Sequence, residues 1–271
     1  MTRKIVCLLL SALVCSKCAT GFAQDKESRD RLTAAHALYY TPTSSGLKSF
    51  HCDANIDWKS MLTRLSGVEI SDDNASLKFL QTVHLSVSDD LKGAGKLEWT
   101  AAGDPPPGKE GAMKEIQEGL QTSVSGFFQS WNAYMNGGMV PLPDSSVVVS
   151  KSGDGVHLSS VPGDSKFDED YDKNMLLTQV LVVTPTMKVL ATPTYSNTPD
   201  GLLVSTVTSE VSQPPTASPA VAIFRIEYAK MNAFQIPSRV IFDIKNTGLI
   251  EISFNACQVS LADWAKKPSG R

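Results

Sequence analysis

The sequence predicts an α+β fold in which a strongly curved antiparallel sheet, an unclosed β-barrel, wraps around a long amphipathic helix and shorter helices. One observation is a stripe of apolar residues that recur every three or four positions over 110–136, the spacing of one helix face. A second is that nearly every segment from residue 145 onward has the pattern of a strand. The last three strands alternate between apolar and polar residues, so their apolar side needs a cover, which the helices would provide.

The N-terminal segment has the layout of a cleaved export signal. Arg3 and Lys4 precede an apolar run over 5–14, and residues 21–23 supply a small-residue cleavage site. The run is too short to cross a bilayer core of about 30 Å as a permanent helix. We therefore predict a signal peptide over 1–23 and a periplasmic or secreted protein with no transmembrane segment after cleavage. An N-terminal membrane anchor is the alternative.

The composition excludes several classes of protein. A hydrophobic content of 42% is ordinary for a globular chain and fits neither disorder nor a multi-span membrane protein. The formal net charge is −3, and it becomes −6 once residues 1–23 are removed, because that segment has three basic residues and no acid. Nucleic-acid-binding proteins normally have a basic excess. The mature chain, 24–271, is therefore expected to be a single α+β domain with no nucleic-acid partner.

Helix and strand patterns alternate in the N-terminal half of the mature chain. The breaks between them are Pro and Gly positions, which interrupt both kinds of element. The predicted elements are a helix over 27–40, a strand over 50–58, a short helix from Trp58 that stops at Gly67, and a hairpin of 82–88 with 94–100.

The long helix predicted over 110–136 has its largest apolar side chains toward its C-terminal end, and Gly137-Gly138 is a typical terminator. Its stripe consists of Met113, Ile116, Leu120, Val124, Phe127, Trp131 and Tyr134, with Phe128 widening it. Strands follow, separated by turn residues. They are predicted over 146–151, 155–160, 176–183, 186–192, 201–211, 220–229, 238–245 and 249–257.

Two cysteines remain after cleavage, Cys52 and Cys257, and the residues leave their pairing open. An oxidising compartment favours a disulfide, which would close a loop of about 200 residues and contribute roughly 5 kcal/mol in the chain-entropy model. Against pairing, Cys52 shares its strand face with Phe50, whereas Cys257 shares one with Glu251. Facing cysteines on paired strands should lie on the same side unless a bulge intervenes.

A segment near the C-terminus resembles a known family. Over 228–240 a strand and a tight turn lead to an aromatic residue, Phe234, and then to Pro237 and a basic residue, Arg239, which open another strand. This order, within 176–256, resembles the C-terminal hairpins of the periplasmic lipoprotein-carrier superfamily, which includes the outer-membrane lipoprotein-sorting proteins. The chain as a whole is similar to exported bacterial proteins without an assigned role.

The resemblance implies that an unclosed β-barrel holds helices against its concave face, and that the space between binds acyl chains or other lipids. We therefore predict a noncatalytic, carrier-like protein that binds a lipid or other apolar small molecule noncovalently. A cavity of this kind needs apolar lining and no catalytic residue. The predicted lining is Phe127, Phe128, Trp131, Phe224, Phe242 and Phe254. The alternative for these rings is that they are ordinary core, packed at crystal-like density.

Other sites have weaker signals. His51 and Asp53 lie on one polar strand face and could share a small site, although a solvated pair is the simpler interpretation. The acidic stretch 168–174 resembles the start of a calcium loop, but Lys173 occupies the glycine position, so we predict no metal and no cofactor. The alternative function is a cell-envelope scaffold module with no ligand cavity, whose sheet binds another envelope protein.

Overall fold

A computed structural model describes residues 26–136, 147–213, 219–244 and 248–263. The α+β prediction and the large antiparallel sheet are confirmed, since twelve strands form one sheet that is not closed. The predicted signal peptide, 1–23, and the Gly137-Gly138 terminator lie outside the described residues. Among the residues described, no helix combines the length and apolar character needed to cross a membrane.

Four helices are described, and local capping explains the ends of two of them. Asp57 caps the second helix by accepting a hydrogen bond from Ser60 N at 3.0 Å, and Gly67 ends it at a φ of 71°, as the sequence predicts. The first helix is shorter than predicted, because Tyr39 leaves it to form a β-bridge with Leu202. The helices are α1 Lys26–His36, α2 Trp58–Ser66, α3 Ala75–Gln81 and α4 Glu110–Asn136.

The strands are mostly where alternation predicts them. They are hydrogen-bonded in the order β3-β2-β1-β12-β11-β10-β9-β8-β7-β6-β5-β4. Their bounds are β1 Leu47–Ile56, β2 His84–Asp89, β3 Lys96–Thr100, β4 Val148–Ser152, β5 Gly155–Ser160, β6 Lys166–Tyr171, β7 Leu177–Val183, β8 Lys188–Thr198, β9 Gly201–Ser212, β10 Ala220–Met231, β11 Phe234–Ile244 and β12 Gly248–Leu261.

Two elements were not predicted, and several strand boundaries are wrong; β8 and β12, for example, run to Thr198 and Leu261, beyond the predicted ends at 192 and 257. Strand β6 has four charged residues among six, so alternation does not reveal it, and its neighbours on both sides hold it in the sheet. Helix α3 has only seven residues, too few for a helical period to show, and the Asn74 side chain caps it. Strand β11 begins at Phe234, three residues before Pro237, the predicted point of entry.

The described residues form two compact units. The first contains Pro42–Asn132 and 226–263, and its core is the apolar face of β1, β11 and β12 together with the apolar stripe of α4. The second contains 26–41 and Ala133–Arg225, with a core of aliphatic residues from β4 to β9. The single domain predicted for 24–271 stays a prediction.

A bulge in β12 allows Cys52 and Cys257 to pair. His51 faces Gln258 and Asp53 faces Asn255, so two residues of β12, Ala256 and Cys257, lie opposite Cys52 alone. Ala256 takes a φ of 47°, the left-handed conformation typical of such an extra residue. The bulge turns Cys257 to the same side as Cys52, and the two form a disulfide.

The double variant Cys52→Ala/Cys257→Ala is expected to lower the free energy of unfolding by up to about 5 kcal/mol, because the unfolded chain loses a cross-link that closes a very long loop. Urea unfolding followed by tryptophan fluorescence measures the loss. Wild-type protein refolded in dithiothreitol should lose the same amount, and reductant should not affect the double variant. A wild-type urea midpoint that ignores reductant would contradict the expectation.

The substitution Ala256→Gly is expected to stabilise the fold by about 0.5–1 kcal/mol, because glycine adopts a positive φ without steric penalty. Ala54→Gly is the matched control, since Ala54 lies buried on the paired strand β1 in extended backbone. That control should destabilise by about 1 kcal/mol. Equal destabilisation by both substitutions in thermal unfolding would rule out the strained bulge.

Candidate functional site

Five of the six predicted lining residues meet between α4 and the last strands. Phe127 contacts Phe128 at a centroid distance of 4.9 Å and Phe242 at 5.9 Å. Phe128 also contacts Phe254 at 5.8 Å and Trp131 at 6.2 Å. All five side chains are buried. They form one aromatic cluster, held together by edge-to-face and tilted ring contacts.

The predicted lining omits one ring of this cluster, Phe50, and includes one ring that lies elsewhere, Phe224. Phe50 of β1 contacts both Phe128 and Trp131, at 5.6 and 6.0 Å. Phe224 belongs to the second unit, where it is half-buried and faces Val207 of β9. Rings at these separations touch, so they occupy the space among themselves. Binding of an apolar ligand at these residues stays a prediction.

A buried carboxylate bonds to α4 one helical turn after Phe128 of the cluster. Asp89, at the end of β2, is only 2% exposed. Both of its oxygens accept hydrogen bonds from Asn132 Nδ2 at 2.9 Å, and Oδ1 also accepts one from Leu91 N at 2.9 Å. The same Nδ2 group donates to Gly93 O at 2.8 Å. The loop between β2 and β3 is thereby fixed to α4.

Gly95 shows how closely this loop approaches the helix. A Cβ atom at Gly95 would lie 2.7 Å from Phe128, so only glycine fits there without displacing the ring. Phe128 and Asn132 are four residues apart on α4 and therefore lie on one face. Burial raises the pKa of Asp89 to about 6, although the Asn132 hydrogen bonds act in the opposite direction.

A polar cleft of about 450 Å³ opens beside Asp89. Side chains from β1, β2, β3 and β12 line it together with the loop after β2. His51 lies there, but Asp53 does not; Asp53 faces His84, whose Nε2 is 3.7 Å from Asp53 Oδ1. The structure therefore separates the two residues that the sequence proposes as a pair. The cleft is lined by Ser49, Phe50, His51, Ser88, Asp89, Asp90, Ala94, Lys96, Gln258 and Ser260.

A second depression of about 470 Å³ lies along the N-terminal half of α4, with α3, β3 and the 101–105 loop on its other sides. We call it the α4 groove. Its apolar part consists of the half-buried rings Phe79 and Trp99, the buried Met113, Ala101 and Pro105. The polar part comes from α4 and consists of Glu110, Lys114, Gln117, Glu118 and Gln121, and Gly103 completes the lining.

Neighbouring residues position the groove's side chains. Trp99 packs edge-to-face on the buried Trp58, with ring centroids 5.7 Å apart. Glu110 Oε1 accepts a hydrogen bond from Gly108 N at 3.1 Å, and Lys114 Nζ lies 3.7 Å from Glu118 Oε1. Sequence reasoning missed this groove. Its one local signal is that the polar residues 110, 114, 117, 118 and 121 follow one side of α4.

The acidic stretch has a different role from the one its sequence suggests. Three aspartates on one strand face would suit open water, but Asp168 is only 6% exposed. Burial opposes its ionisation, yet hydrogen bonds from Lys166 and Ser159 lower the pKa of Asp168. His157 Nδ1 lies 2.8 Å from Asp170 Oδ1. Within the described part of the chain, no group of three His, Cys, Asp or Glu side chains is placed to hold a metal.

Another polar cluster lies inside the second unit. The Tyr39 hydroxyl donates to Met175 O at 2.9 Å and accepts from Leu177 N at 3.0 Å, and burial raises the pKa of Tyr39 to about 12. Tyr171 donates to Glu169 Oε2 at 2.7 Å, while desolvation raises the pKa of Glu169. The Tyr39 bonds tie the segment after α1 to the start of β7, and the Tyr171 bond lies within β6, so we assign both a structural role.

Comparison with models of protein families, with curated proteins and with solved structures finds no match to this chain. The α4 groove, the polar cleft and the aromatic cluster are therefore judged on their geometry and chemistry.

Asp89 is expected to make stability depend on pH. Its pKa is about 6 in the folded protein and near 3.9 when unfolded, so the folded state binds its proton more tightly. The stabilisation is complete below pH 4 and lost as the pH rises through 6, a fall of about 3 kcal/mol. In Asp89→Asn, the change in unfolding free energy between pH 4 and 7 should lack this fall.

The matched control for that measurement is Asp90→Asn, which removes the exposed neighbouring carboxylate and should keep most of the fall. Urea unfolding at closely spaced pH values gives both profiles. Parallel profiles for the wild type and Asp89→Asn would show that Asp89 titrates alike in the folded and unfolded states.

Proposed function

We propose that this chain is a noncatalytic binding protein that holds an apolar or amphipathic small molecule noncovalently in the α4 groove. The observation that carries the proposal is a depression of about 470 Å³ whose apolar side includes the half-buried rings of Phe79 and Trp99. Its volume lies in the range of small-molecule sites, which combine apolar surface with a few polar groups.

The division of the groove into two chemical sides favours an amphipathic ligand. Phe79, Trp99 and Pro105 offer half-buried apolar surface, whereas Glu110 and Glu118 offer charge. A ligand with an alkyl part and a polar head satisfies both sides at once, because the apolar part leaves water while the head keeps its polar contacts.

The groove suits a ligand better than the aromatic cluster does. The rings of Phe50, Phe127 and Phe128 are buried against one another, so an acyl chain entering there must separate them and break their packing. Trp99 and Phe79 already expose part of their surface. A ligand in the groove gains contact with these rings without breaking existing ones.

The disulfide supports a site of action outside the cytoplasm. Cys52 and Cys257 are paired, and such bonds persist in oxidising compartments. This agrees with an exported protein, periplasmic or secreted, and with a carrier-like role. A scaffold role through strand addition is less favoured, since the edge strands β3 and β4 have five residues each and include Lys96, Glu98 and Lys151, features that protect edges from pairing.

Dodecyl maltoside, a neutral amphiphile used below its critical micelle concentration, is the probe for this proposal. Calorimetric titration is expected to give saturable binding, and Phe79→Ala or Trp99→Ala should weaken it about tenfold, equivalent to about 1.4 kcal/mol. Circular dichroism and thermal unfolding check that each variant folds.

Two controls locate the site. Gln258→Ala in the polar cleft should leave the affinity unchanged, and so should Phe242→Leu, which removes one ring from the aromatic cluster. An affinity lowered by Phe242→Leu but not by Phe79→Ala would move the ligand to the cluster. Failure to bind this amphiphile and charged amphiphiles with the same alkyl chain would overturn the proposal.

A further inference from the structure

We infer that the α4 groove selects amphiphiles with a positively charged head, in particular a quaternary ammonium group. The inference rests on the proposed function, because it names the chemistry of the ligand that the same groove would hold. It is based on three features of the groove: its aromatic faces, its unequal charges and the way both are fixed in place.

Aromatic faces attract cations. The faces of Trp and Phe rings are negative, and a trimethylammonium group placed over them gains both electrostatic attraction and apolar contact. Trp99 and Phe79 both line the groove and are half-buried. Trp58 packs edge-to-face against Trp99, with interplanar angle 70°. The indole is therefore held in one orientation before a ligand arrives.

The charges along the groove are unequal. Among the lining residues, Glu110, Lys114 and Glu118 are charged, and their spacing of four places them on one side of α4 over about 12 Å. Lys114 lies 3.7 Å from Glu118, so it neutralises one carboxylate and leaves the lining with a net charge of −1. A ligand cation would balance the second carboxylate.

The start of α4 could instead favour an anionic head, because the N-terminus of a helix is its positive end. The Glu110 carboxylate offsets the positive potential at this helix end, because Glu110 is the first residue of the helix. The same carboxylate also accepts a hydrogen bond from Gly108 N. The carboxylate therefore occupies the position that a ligand anion would need. An anionic head would face two carboxylates with one ammonium group between them.

Lys114 has two effects on the charge of the groove. It attracts the carboxylate of Glu118 and repels a ligand cation that approaches the middle of the groove. We therefore place the quaternary ammonium near Trp99, Phe79 and Glu110, with the alkyl chain along the half-buried Ala101 and Pro105. The rim amides Gln117 and Gln121 can serve any uncharged polar group of the ligand.

Three probes with the same alkyl chain test the inference, each below its critical micelle concentration: dodecyltrimethylammonium, dodecyl maltoside and dodecanoate. At low salt, calorimetry is expected to show the ammonium compound binding at least tenfold more tightly than the maltoside, with dodecanoate weakest. Raising the salt concentration should reduce the difference, because exposed charges are screened.

Variants separate the charges from the rings. Glu110→Gln should lower the preference for the ammonium compound over the maltoside several-fold, Glu110→Gln/Glu118→Gln should lower it further, and Lys114→Gln should raise it. Trp99→Leu keeps apolar surface but loses the aromatic face, so it should weaken the ammonium compound more than the maltoside. Glu115→Gln, on the same helix but outside the groove lining, is the matched control and should keep the full preference.

The outcomes distinguish this inference from the proposed function. Equal affinity for the ammonium compound and the maltoside, or tighter binding of dodecanoate, overturns the charge selection and leaves the apolar groove standing. Binding of none of the three probes overturns the proposed function itself. A preference that survives Glu110→Gln/Glu118→Gln and Trp99→Leu assigns the selection to another surface and contradicts the inference.

Discussion

The pairing of β1 with β12 is the constraint on which the first unit depends. It joins Leu47 to Leu261, residues far apart in the sequence whose approach has an entropic cost that grows with the intervening length. Strand β1 also pairs with β2, so the β2–β3 hairpin holds its place only while β1 does. The disulfide within this pairing opposes separation of the two strands. Strand β3 pairs with β2 and β2 with β1, so the position of Trp99 in the α4 groove also depends on β1.

Helix α4 does two different tasks along its length. Its C-terminal half contributes Phe127, Phe128 and Trp131 to the aromatic cluster, whereas its N-terminal half contributes Glu110 and Glu118 to the groove. Ring packing over the C-terminal half fixes the helix against the sheet. The N-terminal half gains a defined position from that anchoring, so its charged residues are held beside the groove although they are exposed.

The sequence was informative wherever one face of an element determines burial. Alternation revealed β12 up to Phe254, and beyond it the apolar positions shift from even to odd, at Cys257, Val259 and Leu261. That shift is the signal of the bulge at Ala256, and the bulge explains why strict alternation places Cys52 and Cys257 on different faces. The groove had no such signal, because Phe79 and Trp99 meet α4 only through tertiary packing. The charges of β6 concealed a strand that its neighbours impose.

Stability and the proposed ligand binding make opposite demands on aromatic residues, and the rings concerned lie at separate places in the first unit. Rings that stabilise the fold must exclude water and touch one another, as Phe50 and Phe128 do at 5.6 Å. Rings proposed to recognise a ligand must keep part of their surface accessible, as half-buried Trp99 does. Because the buried Trp58 packs against Trp99, the half-buried indole is held in place without being enclosed. Preorganisation of this kind lowers the entropy lost on binding, so the proposed site in a shallow groove requires no opening of the closely packed core.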